Sequence, residues 1–223
     1  TITALVGNNG SGKSTLLKMM MNLVKPDTGE ISVFNQVVTG EDESWKQHIA
    51  YQAQTAIGYD VFTGKILKDL VSRWYPNWHD DRFRKMVDLL QIPLNKRYGK
   101  MSQGDQQKLR LALTIATNAR ILILDEPTSF IDIPSKKILI DLLVDWMDED
   151  ERAMIIASHQ TEDIHKLADY ITVLQNGQLL GTYEKEELTT NYQHYWVTEE
   201  LPPVAIPGEV SRDHKRIISN QPD

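Results

Sequence analysis

The 223-residue sequence has no cysteine. Disulfides, thiolate catalysis and cysteine-based zinc sites are thereby excluded, and a reducing compartment is compatible with the chain. Runs of lysine or arginine are missing as well, and the formal net charge is −7. A nucleic-acid groove needs a basic stripe, so no nucleic-acid partner is expected. Long apolar runs are also absent. Stretches such as Ile121-Leu-Ile-Leu124 fall far short of the ~20 residues that cross a bilayer, so any membrane role has to come through a partner. Internal repeats and low-complexity tracts are lacking too. No initiator methionine, signal peptide or leader precedes Thr1, which already lies in an apolar strand; the sequence is expected to begin late relative to its full-length protein.

What is present reads as a soluble α/β domain. Apolar residues make up 41% and charged residues 25%, which leaves enough apolar surface for one sizeable core or a core with a modest insertion. Ile2–Val6, Ile31–Phe34 and His48–Gln52 read as strands. Between Thr55 and Lys100 the pattern turns helical: Ile66, Leu67, Leu70, Val71 and Trp74 share one face over Val61–Tyr75. Pro76-Asn77 breaks that helix and Asp80–Leu90 resumes it. Ser102 is a candidate cap for a helix from Gln103 to about Asn118. Ile121–Leu124 and Ala153–Ala157 have the continuous apolar character of strands buried on both faces. Pro134 suits the first turn of a helix to Met147, and Thr161 is a candidate cap for the next helix. Asn176-Gly177 between two strand patterns predicts a hairpin. No periodicity is visible from about Asn191. Strands alternating with helices around a helical interval predict a parallel α/β core with an inserted helical lobe.

Gly7-Asn-Asn-Gly-Ser-Gly-Lys-Ser-Thr15 is the most specific segment. It fits G-x-x-x-x-G-K-[ST], the phosphate-binding P-loop, between a strand and a helix. Its glycines let the backbone turn successive N–H groups toward phosphates, and the following helix N-terminus adds partial positive charge. Asn9, Gly10, Ser11, Gly12, Lys13, Ser14 and Thr15 are the expected nucleotide cradle. Lys13 is expected to reach the β- and γ-phosphates, and the Ser14 hydroxyl to ligate Mg²⁺. A glycine-rich turn with no ligand is the bland alternative.

Asp125 and Glu126 end the apolar run Ile121–Leu124. Ligands of open α/β sheets sit at the carboxyl ends of strands, so both carboxylates are expected to face the P-loop. Asp125 suits a role in holding Mg²⁺, and Glu126 one in orienting and deprotonating water. An acidic pair that merely ends a strand in solvent is the alternative.

Taken in order, Gly7–Thr15, Gln54, Met101-Ser-Gln-Gly-Asp105, Asp125-Glu126-Pro127, Asp132 and His159 resemble the nucleotide-binding subunit of ABC transporters, over about Thr1 to Tyr183. The resemblance implies ATP and Mg²⁺ as cofactors and a P-loop NTPase sheet with an inserted helical lobe and a small residual antiparallel β region. Residues 1–54 and 104–183 would form the ATPase core, 55–103 the lobe carrying the signature motif, and 184–223 a C-terminal tail. It implies that Gln54 senses Mg²⁺ and the attacking water and relays to a membrane partner, with Gln52 open as a rival. Ser102 and Gly104 would belong to the signature that closes over the γ-phosphate bound by a second subunit, homo- or heteromeric. Asp132 would couple the two sites, and His159 would contact the γ-phosphate. Catalysis would fall to Glu126, His159, Gln54 and Lys13, and metal binding to Ser14, Gln54 and Asp125.

Two features depart from the family pattern. The signature reads Ser-Gln-Gly-Asp in place of Ser-Gly-Gly-Gln, putting bulk at Gln103 and negative charge at Asp105. The strands that normally precede the P-loop strand, with an aromatic residue that stacks on adenine, have no counterpart before Thr1. Tyr75-Pro-Asn-Trp78, Phe83 and Leu94-Asn-Lys96 are similar to a bacterial exporter subgroup linked to peptide-antibiotic resistance; packing within the lobe accounts equally for those aromatics. The resemblance therefore implies an ATP-hydrolysing subunit that drives export through a polytopic membrane-spanning partner, peripheral at the inner face of the cell membrane. The alternatives are a soluble regulatory ATPase of the same superfamily and a hydrolysis-deficient ATP-binding module.

Overall fold

The computed structural model describes residues 1–38, 42–149, 151–191, 193–196, 209–213 and 216–220. The chain opens with β1 (Ile2–Val6), a glycine-rich loop and α1 (Lys13–Met20). A small hairpin, β2 (Ser32–Val33) and β3 (Gln36–Val37), turns at Phe34 and Asn35, both with positive φ. Next come β4 (Ile49–Gln52) and the helices α2 (Gly64–Ser72), α3 (Asp80–Leu90) and α4 (Gln103–Ala116). The alternating half follows: β5 (Ile121–Asp125), α5 (Ile133–Met147), β6 (Ala153–Ala157), α6 (Thr161–Leu167), β7 (Tyr170–Gln175) and β8 (Gln178–Glu184). The chain continues through α7 (Lys185–Asn191), β9 (Gln193–Trp196), β10 (Glu209–Asp213) and β11 (Arg216–Ser219).

One six-stranded sheet, in the order β4-β5-β6-β1-β7-β8, forms the core of this P-loop NTPase fold. All its neighbours pair parallel except β7 with β8. Parallel strands need covered faces, and alternation along them sorts the two coats. Ala50, Leu122, Leu124, Met154 and Ile156 face a large cluster shared with α4, α5 and the helical interval, where Leu67, Phe83, Met86 and Leu90 join Leu109 and Leu111. Ile49, Ile123, Leu5 and Ala157 face the opposite way, against Leu17 and Met21 around α1. The helical interval is thus part of the same apolar core as the sheet. Burying a Leu or Met side chain of this kind contributes about 1.5–3 kcal/mol.

Side-chain caps set most helix starts. Thr63 accepts from the Ile66 N–H at 3.4 Å, Ser102 from Asp105 at 3.1 Å and Asp132 from Ser135 at 2.9 Å. The first cap corrects one expectation: α2 spans 64–72, not 61–75, because Thr63 starts it and the approach to Pro76 breaks into turns at Trp74 and Trp78. Thr161 does not cap α6 but is its first residue; Ser158 Oγ accepts the Gln160 N–H at 3.0 Å and shapes that entry. The region beyond Asn191, which lacks visible periodicity, contains a three-stranded antiparallel sheet in the order β10-β11-β9. Residues 192, 197–208, 214–215 and 221–223 of the expected tail lie outside the described residues.

Candidate functional site

The parallel strands β5, β6 and β1 lie side by side, so the loops that leave their carboxyl ends converge. Those loops carry Asp125-Glu126, His159 and the P-loop respectively.

Close approach fixes the P-loop. A Cβ on Gly7 would sit 2.1 Å from the Leu174 carbonyl oxygen of β7, which leaves no room for any other residue. Gly12 caps α1 with φ 104, a conformation that costs L-residues strain. The Ser11 N–H donates to Asn8 at 3.0 Å, and the Ser11 carbonyl accepts from Gly177 of the β7–β8 turn at 2.9 Å. Asn9, Gly10 and Thr15 are exposed, whereas Ser11 and Lys13 are buried. Lys13 Nζ folds back over the loop, donating to the carbonyls of Gly7 at 2.7 Å and Asn8 at 3.2 Å. Its ammonium therefore sits within the cradle that a triphosphate tail would enter.

Asp125 is 2% exposed and forms no ion pair among the described residues. An uncompensated buried carboxylate is costly, and a site that receives a cation accounts for it. Its charge is felt nearby: burial, and then the Asp125 carboxylate, push the Tyr51 hydroxyl up to about 12. Ser14, Gln54 and Asp125 line one cavity of about 1150 Å³, together with Gln52, Arg110 and Trp74. These hard oxygen donors fit Mg²⁺, which needs only one or two carboxylates besides water and phosphate. Burial, not strand parity, separates the two glutamines. Gln52 alternates with Ala50 onto the α4 face, while Asp125 alternates with Ile121 and Ile123 onto the α1 face that holds Ser14. Gln52 lies within β4 and is buried, its side-chain amide without a partner among the described residues; Gln54, of the same parity, lies past the strand end and is exposed.

Glu126 adopts a left-handed turn with φ 51, which costs a non-glycine residue about 1–2 kcal/mol. Its N–H is held by the Ala157 carbonyl at 2.8 Å. The turn aims the buried carboxylate at His159, whose Nδ1 lies 2.8 Å from Oε1; the side chain of His159 is 60% exposed. With Nδ1–H donating to Glu126, the second ring nitrogen is left for a ligand. Around this pair lies a network that the motifs do not announce. Lys136 Nζ lies 2.6 Å from buried Asp163 and donates to Gln160 at 2.7 Å, while Thr128 Oγ1 donates to the other Asp163 oxygen. It ties the segment after Glu126 to the segment after His159.

Ser102, Gly104 and Asp132 stand apart from the cavity that joins Ser14 to Gln54. Ser102 is exposed at the start of α4. A Cβ on Gly104 would lie 2.9 Å from the Phe130 carbonyl oxygen, so the helix start and the 127–132 loop touch backbone to backbone. Asp132 caps α5 and accepts from Lys108 Nζ at 2.9 Å. That hydrogen bond, then the Ser135 backbone, hold its carboxyl well below the usual carboxylate range.

Residues 1–129 match the protein-family profile described as "ABC transporter". The chain is 32% identical over 191 residues to the ABC transporter ATP-binding protein YtrB of Bacillus subtilis (strain 168), covering 86% of this chain and 65% of that protein. It thus spans less than two thirds of that relative's length. Among solved structures, it is similar to an ATP-binding subunit of an ABC transporter with a TM-score of 0.77 at 21% identity, covering 85% of this chain and 80% of the other. It is also similar to the ATP-binding cassette MJ0796, a dimer in a post-hydrolysis state bound to ADP and Pi, with a TM-score of 0.71 at 21% identity over 82% and 84% of the two chains.

Proposed function

Because the chain belongs to the ABC transporter family of ATP-binding ATPases, we propose that it is the ATP-hydrolysing subunit of an exporter. It works with a second ATP-binding subunit and a separate polytopic membrane-spanning partner. No helix among the described residues is long and apolar enough to cross a membrane; the partner holds the chain at the inner face. Residues 1–54 and 104–183 act as the ATPase core, 55–103 as the lobe with the signature, and 184–223 as the tail.

The observation that carries this reading is the Glu126–His159 pair, set beside Asp125 at the converging strand ends. Phosphoryl transfer asks the protein mainly to position groups and to offset charge on the phosphate oxygens. The P-loop amides and Lys13 bind the triphosphate tail, with Lys13 exchanging two carbonyls for phosphate oxygens. Glu126 orients water and accepts its proton, while His159 is held in one orientation by the same carboxylate. Ser14, Asp125 and Gln54 would hold Mg²⁺, which supplies positive charge to the β- and γ-phosphates. Ser102 and Gly104 of the second subunit cover the γ-phosphate, in keeping with their place at the start of α4, away from this chain's own cavity; Asp132, in the loop between, couples the two sites. The dimeric form of a structural relative supports that sandwich. Ile57 and Trp74, 93% and 77% exposed on the same cavity as Gln54, support docking of the membrane partner there.

Glu126→Gln tests the reading. It should keep ATP affinity and lower turnover by about 10²-fold or more. Turnover at the parent rate would refute the assigned base. A hydrolysis-deficient binding module is the second reading, favoured by Asp105 in the first turn of α4. A parent chain that binds ATP yet shows no turnover even with its partners would favour it.

A further inference from the structure

One side chain near the cavity has no place in the roles assigned so far. Arg110 lies on α4 one turn beyond Gln107, so the two share a helix face. Its guanidinium is largely desolvated, which draws its pKa down, and its Nε is buried with no partner. No carboxylate pairs with it among the described residues; the Tyr98 hydroxyl lies beside it, and its terminal nitrogens donate to neutral oxygens. One terminal nitrogen donates to the Gln54 carbonyl at 3.0 Å and the other to Gln107 Oε1. Gln107 is 1% exposed, and its Nε2 donates to the carbonyls of Glu126 at 3.1 Å and Pro127 at 2.6 Å. A partly buried cation without an acid is a poor way to fill space, and an apolar side chain would pack there at lower cost. Its value lies in charge-assisted hydrogen bonds that hold two backbones in fixed relation.

We propose that Arg110 is a positioning residue: through Gln107 it ties the backbone of Gln54 to the strained turn of Glu126, so that the two move as one. The proposal rests on the functional roles given above to Gln54 and Glu126. Because φ at Glu126 sets where its carboxylate points, a displacement of the 53–56 segment is felt at the base. The helix that carries both links also begins at Ser102, so closure of a second subunit over that end would reach both groups together.

Hydrogen exchange on the full chain without nucleotide tests the tie independently of turnover. In Arg110→Met, exchange is expected to rise about five-fold or more both in residues 53–58 and in residues 126–131, a segment that Arg110 does not touch. A rise confined to 53–58 overturns the proposal. Arg110→Lys can hold only one of the two oxygens and is expected to fall between parent and Arg110→Met; it carries both readouts if the methionine variant does not fold. In turnover, Arg110→Met is expected to lower kcat about ten-fold with KM for ATP within about two-fold, and Gln107→Met added to it should cost little more. An unchanged kcat, or losses that simply multiply, overturns the tie. Glu126→Gln keeps the two failures apart. If it turns over at the parent rate, the functional reading fails; if it is inactive while Arg110→Met keeps the parent kcat, only the tie fails.

Discussion

Replacing Gly104 by alanine sets two effects against each other, and the structure decides which is larger. Alanine is the better helix former by up to about 1 kcal/mol in a helix interior, and less in the first turn where Gly104 lies. It also restricts the unfolded chain, which adds about 0.4–1 kcal/mol where the native backbone accepts it. Against both stands the Phe130 carbonyl oxygen, 2.9 Å from the position of the new methyl. Relief needs a retreat of about half an ångström, and the 127–132 loop is poorly placed to give it. Gln107 holds the Pro127 carbonyl at 2.6 Å, Asp132 is pinned by Ser135 and Lys108, and Phe130 already has φ 64. Overpacking against a restrained backbone costs about 1–3 kcal/mol. The expected net is a loss of about 1 kcal/mol, or about 2–4 °C in Tm for a chain of this size. Thermal unfolding of the nucleotide-free chain measures it. A variant that melts at or above the parent temperature would show that the contact is slack and the helix term decides. ATP turnover should fall as well, since the displaced loop runs from Glu126 to Asp132.

Lys136→Met leaves the buried Asp163 carboxylate without its cation and should cost about 3–5 kcal/mol in urea unfolding; a loss below about 1 kcal/mol would mean that the Thr128 hydrogen bond alone suffices. Asp132 is held below its ordinary range in the folded state, so its contribution is present above about pH 4 and fades as pH falls through the folded value. Being half exposed, it is worth less than about 1 kcal/mol, and the stability gap between parent and Asp132→Asn should hold above about pH 5 and narrow as pH falls below about 4. Tyr51 has its folded pKa raised to about 12, so the stability it lends is intact below about pH 10 and is lost as pH climbs. Burial also raises Tyr75 and Tyr98, so ultraviolet titration should find several late-ionising tyrosines, one of which disappears in Tyr51→Phe.

Strand and helix patterns made much of the architecture legible. Ile121–Leu124 and Ala153–Ala157 are apolar at every position because parallel strands are covered on both faces, and Asn176-Gly177 turns with φ 50 and 77 as a two-residue hairpin demands. The strands of the C-terminal sheet were not legible: Gln193–Trp196 and Arg216–Ser219 are short and lack apolar alternation. For the site, motif spacing brought Lys13, Asp125, Glu126 and His159 into view. It could not separate Gln52 from Gln54, which share strand parity and differ in that β4 ends at Gln52, leaving Gln52 buried and Gln54 exposed. Arg110, Gln107, Lys136 and Asp163 gave no signal, since each acts through a hydrogen bond to chain far away in sequence.

The tip of the β7–β8 hairpin completes the anion cradle, through the Gly177 N–H on Ser11 and the Leu174 carbonyl that presses on Gly7. On the ribosome the nucleotide motif emerges with β1, yet the surface that moulds it belongs to β7 and β8, the last strands of the six-stranded sheet in chain order. A nascent chain cut short before Tyr170 would carry every letter of the motif and lack its wall. Nucleotide capture therefore waits on β7 and β8 rather than on the motif's own emergence.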